Sequence, residues 1–168
     1  MRRIIAWALG GALVFGGVAF ANDRPSSSAH SHHGAHARTI KVFALTVQLK
    51  QLDLGDSGFS LGDQIVLSDD LLTAKGGTKV GFDGGVCTVV RVDQATTATG
   101  TLQCPVTLSL SGAQLFTVGL VRIANGALTG TQTVAVSGGT GRFRGAEGEL
   151  AIQFLSMTEA NLSITLRR

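Results

Sequence analysis

From Thr39 to the C-terminus, apolar and polar residues alternate in short runs broken by Gly, Asn and Asp, and no long stretch repeats its apolar positions at helical spacing. The alternation predicts strands over 40–53, 63–69, 78–92, 101–110, 113–123, 127–137, 147–157 and 160–167. Several connections have turn chemistry of their own. Asn125-Gly126 is a type I′ hairpin signal, Ser111-Gly112 is a second two-residue connection, and Thr158-Glu159-Ala160-Asn161 is a short link between the last two strands. Eight strands joined by tight turns make an antiparallel meander. Closing the meander hides its sticky edges, so the expected fold is all-β: an eight-stranded antiparallel barrel.

Between Val136 and Leu150 the chain packs five glycines between two apolar β-like runs. Such density marks a backbone that turns through positive φ or is closely approached by another segment. A phosphate-binding loop would run into a helix and continue with Lys and Ser or Thr. Here the chain continues as Glu149-Leu150-Ala151-Ile152-Gln153-Phe154-Leu155, which alternates like a strand, and Gly-Lys-Ser/Thr occurs nowhere. A flexible linker would lose the flanking apolar pattern. An ordered corner between two barrel strands is the reading that fits.

The N-terminus is set apart from this pattern. Arg2-Arg3, the apolar run from Ile4 to Phe20 and the small-x-small Ala19-Phe20-Ala21 form the three parts of a secretory signal, expected over residues 1–21. An uncleaved membrane anchor is the alternative, but Gly10-Gly11 and Gly16-Gly17 make a mediocre spanning helix. Residues 22–38 are rich in Ser and His, with almost no large apolar side chain, and are expected to be a disordered linker. All four histidines lie there. His30, His32, His33 and His36 have the ligand type for Zn²⁺, Cu²⁺ or Ni²⁺, but a tract without fixed geometry is a weak chelator, so a solvated linker is preferred to a metal site. Residues 39–168 remain as one barrel domain with room for a core.

Composition narrows the chemistry. The formal charge of +3 owes most of its excess to the two signal arginines, so the basic balance does not point to nucleic acid. Scattered Arg and Lys with few aromatics offer no stacking platform for single strands. The barrel domain has no His, Tyr or Trp, which closes off a Ser-His-Asp relay, a His-ligated catalytic metal and Tyr acid catalysis. No cofactor is called for. Cys87 and Cys104 flank the turn around Asp93 to Gly100, nearly opposite one another if the two strands pair. In an exported protein such a pair reads as a disulfide, provided both side chains share a face; a free Cys87 pointing into the barrel is the competing reading.

Three segments carry a resemblance to known proteins. They are Leu61-Gly62-Asp63-Gln64-Ile65-Val66-Leu67-Ser68-Asp69-Asp70-Leu71, Val80-Gly81-Phe82-Asp83-Gly84-Gly85-Val86-Cys87, and the glycine stretch Ala135 to Gly148. In order and spacing they resemble the allene oxide cyclase barrel family and, more distantly, the plant dirigent proteins. The resemblance implies a small eight-stranded barrel with a mostly apolar pocket, assembled as a trimer, that steers a substrate which is already reactive. It also allows a residue-level comparison. Where the plant cyclases have a glutamate in an Asn-Glu-Arg-Asp segment, this chain reads Lys50-Gln51-Leu52-Asp53, and an amide at Gln51 cannot supply a carboxylate's charge. The cyclase asparagine becomes Asp69 and the pocket cysteine matches Cys87, while the dirigent arginine of Ala-Arg-Gly becomes Glu147. Allene oxide cyclisation itself therefore does not carry over.

Gln51, Asp69 and Cys87 are the candidates for catalysis, and Asp53, Phe82, Arg91, Phe116 and Arg122 are the candidates for the pocket wall. Two functions fit. One is an exported barrel, periplasmic or secreted, that binds an apolar small molecule and guides its cyclisation or isomerisation. The other is a non-catalytic structural or interaction barrel. An open apolar lumen with a polar group at its base favours the first, and a lumen filled by Phe43, Phe82, Phe116, Leu and Val favours the second.

Overall fold

The computed structural model describes residues 37–167. The signal segment and the histidine tract lie outside the described residues, so those expectations receive no structural account. The described chain forms β1 (Arg38–Leu52), β2 (Gln64–Leu72), β3 (Lys79–Gln94), β4 (Thr99–Leu110), β5 (Ala113–Ala124), the two-residue β6 (Ala127–Leu128), β7 (Thr131–Gly139), β8 (Glu147–Phe154) and β9 (Glu159–Arg167). Two one-turn 3₁₀ segments, Ala95–Thr97 and Gly141–Phe143, complete the set.

Eight of these strands close into an antiparallel barrel. The hydrogen-bonded order runs β4-β3-β2-β1-β9-β8-β7-β5, and pairing of β4 with β5 joins the ends. The Ser111-Gly112 and Asn125-Gly126 turns have positive φ at both residues, the geometry of type I′ hairpins. The expected strand over 127–137 is divided: Ala127 and Leu128 finish the β5 hairpin, the chain turns at Gly130 with φ +71°, and β7 starts afresh at Thr131. β7 leaves the hairpin to pair with β5 nearer its start, from Leu115 to Val118.

Period-two alternation sorts the side chains. On β5, Ala113, Leu115, Thr117, Val121 and Ile123 are buried while Gln114, Phe116, Val118, Leu120 and Arg122 are exposed. Leu71, Leu102, Leu108, Leu115 and Ile164 are fully buried at the centre of the core. Burial on this scale contributes about 1.5–3 kcal/mol per large side chain.

The glycine stretch is an ordered corner between β7 and β8. Phe143, 2% exposed, turns from it into the core, and the Arg142 guanidinium donates to the Leu110 carbonyl at 3.2 Å, tying the corner to the β4–β5 turn. At Gly148 the first residues of β8 lie so close to β9 that a Cβ would collide with the Thr165 carbonyl oxygen.

The β1–β2 connection is organised by Asp63. Its carboxylate accepts from the backbone N–H of Ser60 at 2.6 Å and of Leu54 at 3.0 Å, and from the Ser60 hydroxyl. These donors, the Ser60 N–H first, hold its carboxyl below the usual range.

Cys87 and Cys104 form a disulfide between β3 and β4, with both side chains buried on the inner face. The 17-residue separation means that the bridge closes a loop whose entropy in the unfolded chain it removes. Replacing both cysteines by Ala is expected to lower unfolding free energy by about 2–4 kcal/mol, measured by urea denaturation monitored by circular dichroism.

Candidate functional site

The middle of the barrel is not filled. Small residues on the inner faces, Ala44 of β1, Thr117 of β5 and Ala160 of β9, leave space in an interior that larger side chains would fill. Gly119 is required by crowding, since a Cβ there would come 2.6 Å from a Val134 methyl. A cavity of about 90 Å³ results, walled by Leu67, Leu108, Val121, Val134, Leu162 and their neighbours, with the disulfide on one side. A second compartment of about 70 Å³ adjoins it, shares Ala44, Asp69, Cys87 and Phe154 with the first, and continues past Gln51 to Leu49 and Met157, which are exposed at the rim.

Two carboxyls face each other in this apolar space. Asp69 on β2 and Asp83 on β3 are direct cross-strand partners, and both line the cavity. Thr46, which the register places opposite Asp69 on β1, bonds the Asp69 carboxyl. Asp83 is 3% exposed. Burial and, secondly, the negative charge of Asp69 push its carboxyl up to about 8; the Asp69 backbone N–H opposes that shift. Burial also raises the Asp69 carboxyl, against the hydrogen bonds from Thr46 and Asp83. Asp83 therefore keeps its proton at neutral pH, beside an Asp69 carboxyl that is itself raised. The Oδ1 atoms of both residues have no hydrogen-bond partner among the described residues.

A carboxyl that stays protonated while its neighbour ionises is a donor and acceptor side by side, the arrangement that general acid–base chemistry needs. The space beside the pair is lined by hydrocarbon and by Thr117, whose hydroxyl is already spent on the Val106 carbonyl at 2.9 Å.

Comparison with known proteins bears on this geometry. The family model described as allene oxide cyclase barrel like domain matches residues 42–166. The chain belongs to this family. Among solved structures, the pyocyanin demethylase is 26% identical over 77% of this chain and 99% of that one, with a TM-score of 0.67. The pterocarpan synthase dirigent protein GePTS1 is 18% identical, over 86% of this chain and 94% of that one, with a TM-score of 0.59. The Diels Alderase AbmU from Streptomyces koyangensis is 12% identical, over 82% and 70% of the two chains, with a TM-score of 0.60. The last two likenesses speak for the fold alone. No curated protein sequence matches the chain.

In this allene oxide cyclase-like barrel the residues singled out by sequence separate into two groups. Asp69, Cys87 and Gln51 come together along the lumen, Gln51 near its rim and Cys87 as half of the disulfide. The five wall candidates lie outside this lumen, four of them on the outer face and Asp53 on the wall of a separate cavity of about 390 Å³ beside the β1–β2 connection. Phe82 and Phe116 point outward, 54% and 38% exposed, because each occupies the opposite parity to the buried residues of its strand. Arg91 and Arg122 are outside as well, both paired with Asp93. Asp53 is exposed just beyond β1, where it accepts from the Gly58 N–H. Phe43 is buried, yet it borders an outer groove with Lys41 and Asn161 rather than the cavity.

Asp83 is the residue that the sequence candidates missed. Its signal was available: it stands four residues before Cys87 on the same strand, and period-two alternation gives the two one face.

The raised Asp83 carboxyl has a consequence for stability. In the unfolded chain the group ionises near pH 4, whereas the native barrel keeps its proton to about 8, so the native state binds more protons throughout that interval. The contribution of Asp83 to stability is thus full below pH 4 and declines as pH rises to 8. The expected loss is on the order of 2 kcal/mol or more, and Asp83→Asn is expected to flatten most of it, read as urea midpoints across pH 4–8.

Proposed function

We propose that the protein binds an apolar small molecule in its lumen and guides its cyclisation or isomerisation by proton transfer at Asp69 and Asp83. The observation that supports this is the pair itself, two facing carboxyls in an apolar-walled cavity with an exit to the surface. Protonated Asp83 donates to a basic site on the substrate as positive charge develops, and the Asp69 carboxylate accepts a proton from a neighbouring atom. The substrate's atoms are conserved and the pair ends with the protons it began with. Hydrocarbon walls select one near-attack conformer and shield the intermediate from water. Gln51 at the rim contributes no charge to this step. A lumen with open space and a polar base, rather than one filled by phenylalanines, favours this reading over a purely structural barrel.

The test is a comparison of small-molecule extracts incubated with wild-type protein or with Asp83→Asn. Wild type is expected to consume one compound and produce another of the same mass, and the variant to do so at least about 100-fold more slowly, the lower end of what a positioned acid or base contributes. The similarity to the pyocyanin demethylase favours a second reading, removal of a methyl substituent. A product lighter than its precursor by CH2, a methyl replaced by hydrogen, with the methyl carbon recovered as a separate one-carbon product, would decide for it.

Export to an oxidising periplasmic or extracellular compartment accounts for the disulfide, with which it is compatible. Self-association accounts for the outer face. Val66, Phe82, Val86, Phe116, Val118 and Leu120 are exposed on adjoining strands β2–β5, and Leu120 is 63% exposed. Such a patch ordinarily marks an interface. A homotrimer, as the family resemblance implies, would cover it. Native mass spectrometry is expected to show trimers for wild type and monomers for Leu120→Glu; a monomeric wild type would remove this expectation.

A further inference from the structure

Charge in the lumen is one-sided. Among the described residues no Lys, Arg or His lines either compartment, whereas Asp69, Asp83 and Glu159 do. Glu159 is already engaged, since Lys75 Nζ reaches its carboxylate at 2.7 Å from outside the lining. The other two acids meet no cation among the described residues, and each keeps one oxygen without a donor. For Asp83 that oxygen belongs to a residue that is 3% exposed and lines the cavity. A buried carboxylate oxygen left unpaired favours whatever can donate a charge-assisted hydrogen bond to it.

Three kinds of apolar ligand respond differently to such a site. An anionic one, such as a fatty-acid carboxylate, brings a like charge into a low-dielectric space and is repelled. A neutral hydrocarbon body fits the walls but leaves the two oxygens unpaired. A cation with an N–H satisfies them and neutralises the charge that the pair carries. Size limits the body. Adjoining compartments of about 90 and about 70 Å³ are together comparable with cavities that accept a benzene ring, and the second opens at the rim past Met157.

We propose that the lumen's ligand is a flat base of one or two fused rings, an amine or nitrogen heteroaromatic bound as its N–H cation against Asp69 and Asp83. The proposal rests on the lumen being the binding site, as in the proposed function, and adds the ligand's charge and donor. It separates the protein's substrate class from lipid carboxylates.

Three probes of one shape and different charge test it: 4-aminoquinoline, a cation at neutral pH, 1-aminonaphthalene, which is neutral, and 1-naphthoate, an anion. Isothermal titration calorimetry on the purified full-length protein is expected to give at least tenfold tighter binding for the cation than for the neutral probe. The anion is expected to bind at least tenfold more weakly than the neutral one. In Asp69→Asn/Asp83→Asn the neutral probe should still bind while the three affinities converge to within about threefold. Asp83→Asn alone, with a lesser convergence, serves if the double variant does not fold. A cation that binds no tighter than the neutral probe overturns the charge assignment and leaves the apolar lumen standing. The same ranking in the double variant also overturns it, by placing the charge elsewhere. Failure of all three probes removes the lumen as a binding site and the proposal with it.

Discussion

Closure of the sheet is the constraint on which the rest depends. Once β4 pairs with β5, each of the eight barrel strands has two neighbours, and their inner positions must share one narrow interior. Large residues on all of them would overfill it, and small ones would leave it hollow. The chain does both at different levels. Leu71, Leu110, Leu115 and Phe143 are packed tightly, while Ala44, Thr117 and Ala160 leave space at the level of the acid pair.

Two carboxyls in that space are costly, because burial opposes ionisation and each charge opposes the other. The protein moderates the cost with the Thr46 hydroxyl and the Asp69 backbone N–H, and by keeping a proton on the pair. Hydrophobic replacements would serve stability better at neutral pH. A pair placed at a disadvantage to the fold, in a cavity with an outlet, points to chemistry or binding rather than to architecture. Asp63 makes the contrast. It is also a well-buried carboxylate, but backbone N–H groups surround it, its ionised form is favoured, and its work is to order a loop.

The fold was legible because its signals are local. Alternation, two type I′ turns and a glycine corner each follow from a few neighbouring residues, and the segments 61–71, 80–87 and 135–148 added their order. The site was only partly legible. Asp69 and Cys87 were within reach because the resemblance marked them, and Gln51 for the same reason. Phe82, Arg91, Phe116 and Arg122 were misplaced because alternation tells which residues share a face but not which face is inside. The buried partners decide that: Asp83 and Cys87 lie inward, so Phe82, on the opposite parity, points out, while Arg91 shares their parity and lies outside beyond the register shift between Val89 and Arg91.

Taken alone, the sequence determined an all-β meander, its turns, and a domain whose chemistry excludes histidine, tyrosine and tryptophan. Those properties depend on residue type and on spacing of a few positions. Tertiary structure decided the rest. It brought Cys87 and Cys104 within bonding distance, divided the strand at Gly130, sent the phenylalanines outward, and set Asp69 beside Asp83 in a hollow made by small residues from three other strands. None of these is a local property. Each arises where strands distant in sequence are forced into register by a closed sheet, which is why the acids' pairing, and with it the raised Asp83 carboxyl, came into view only with the barrel.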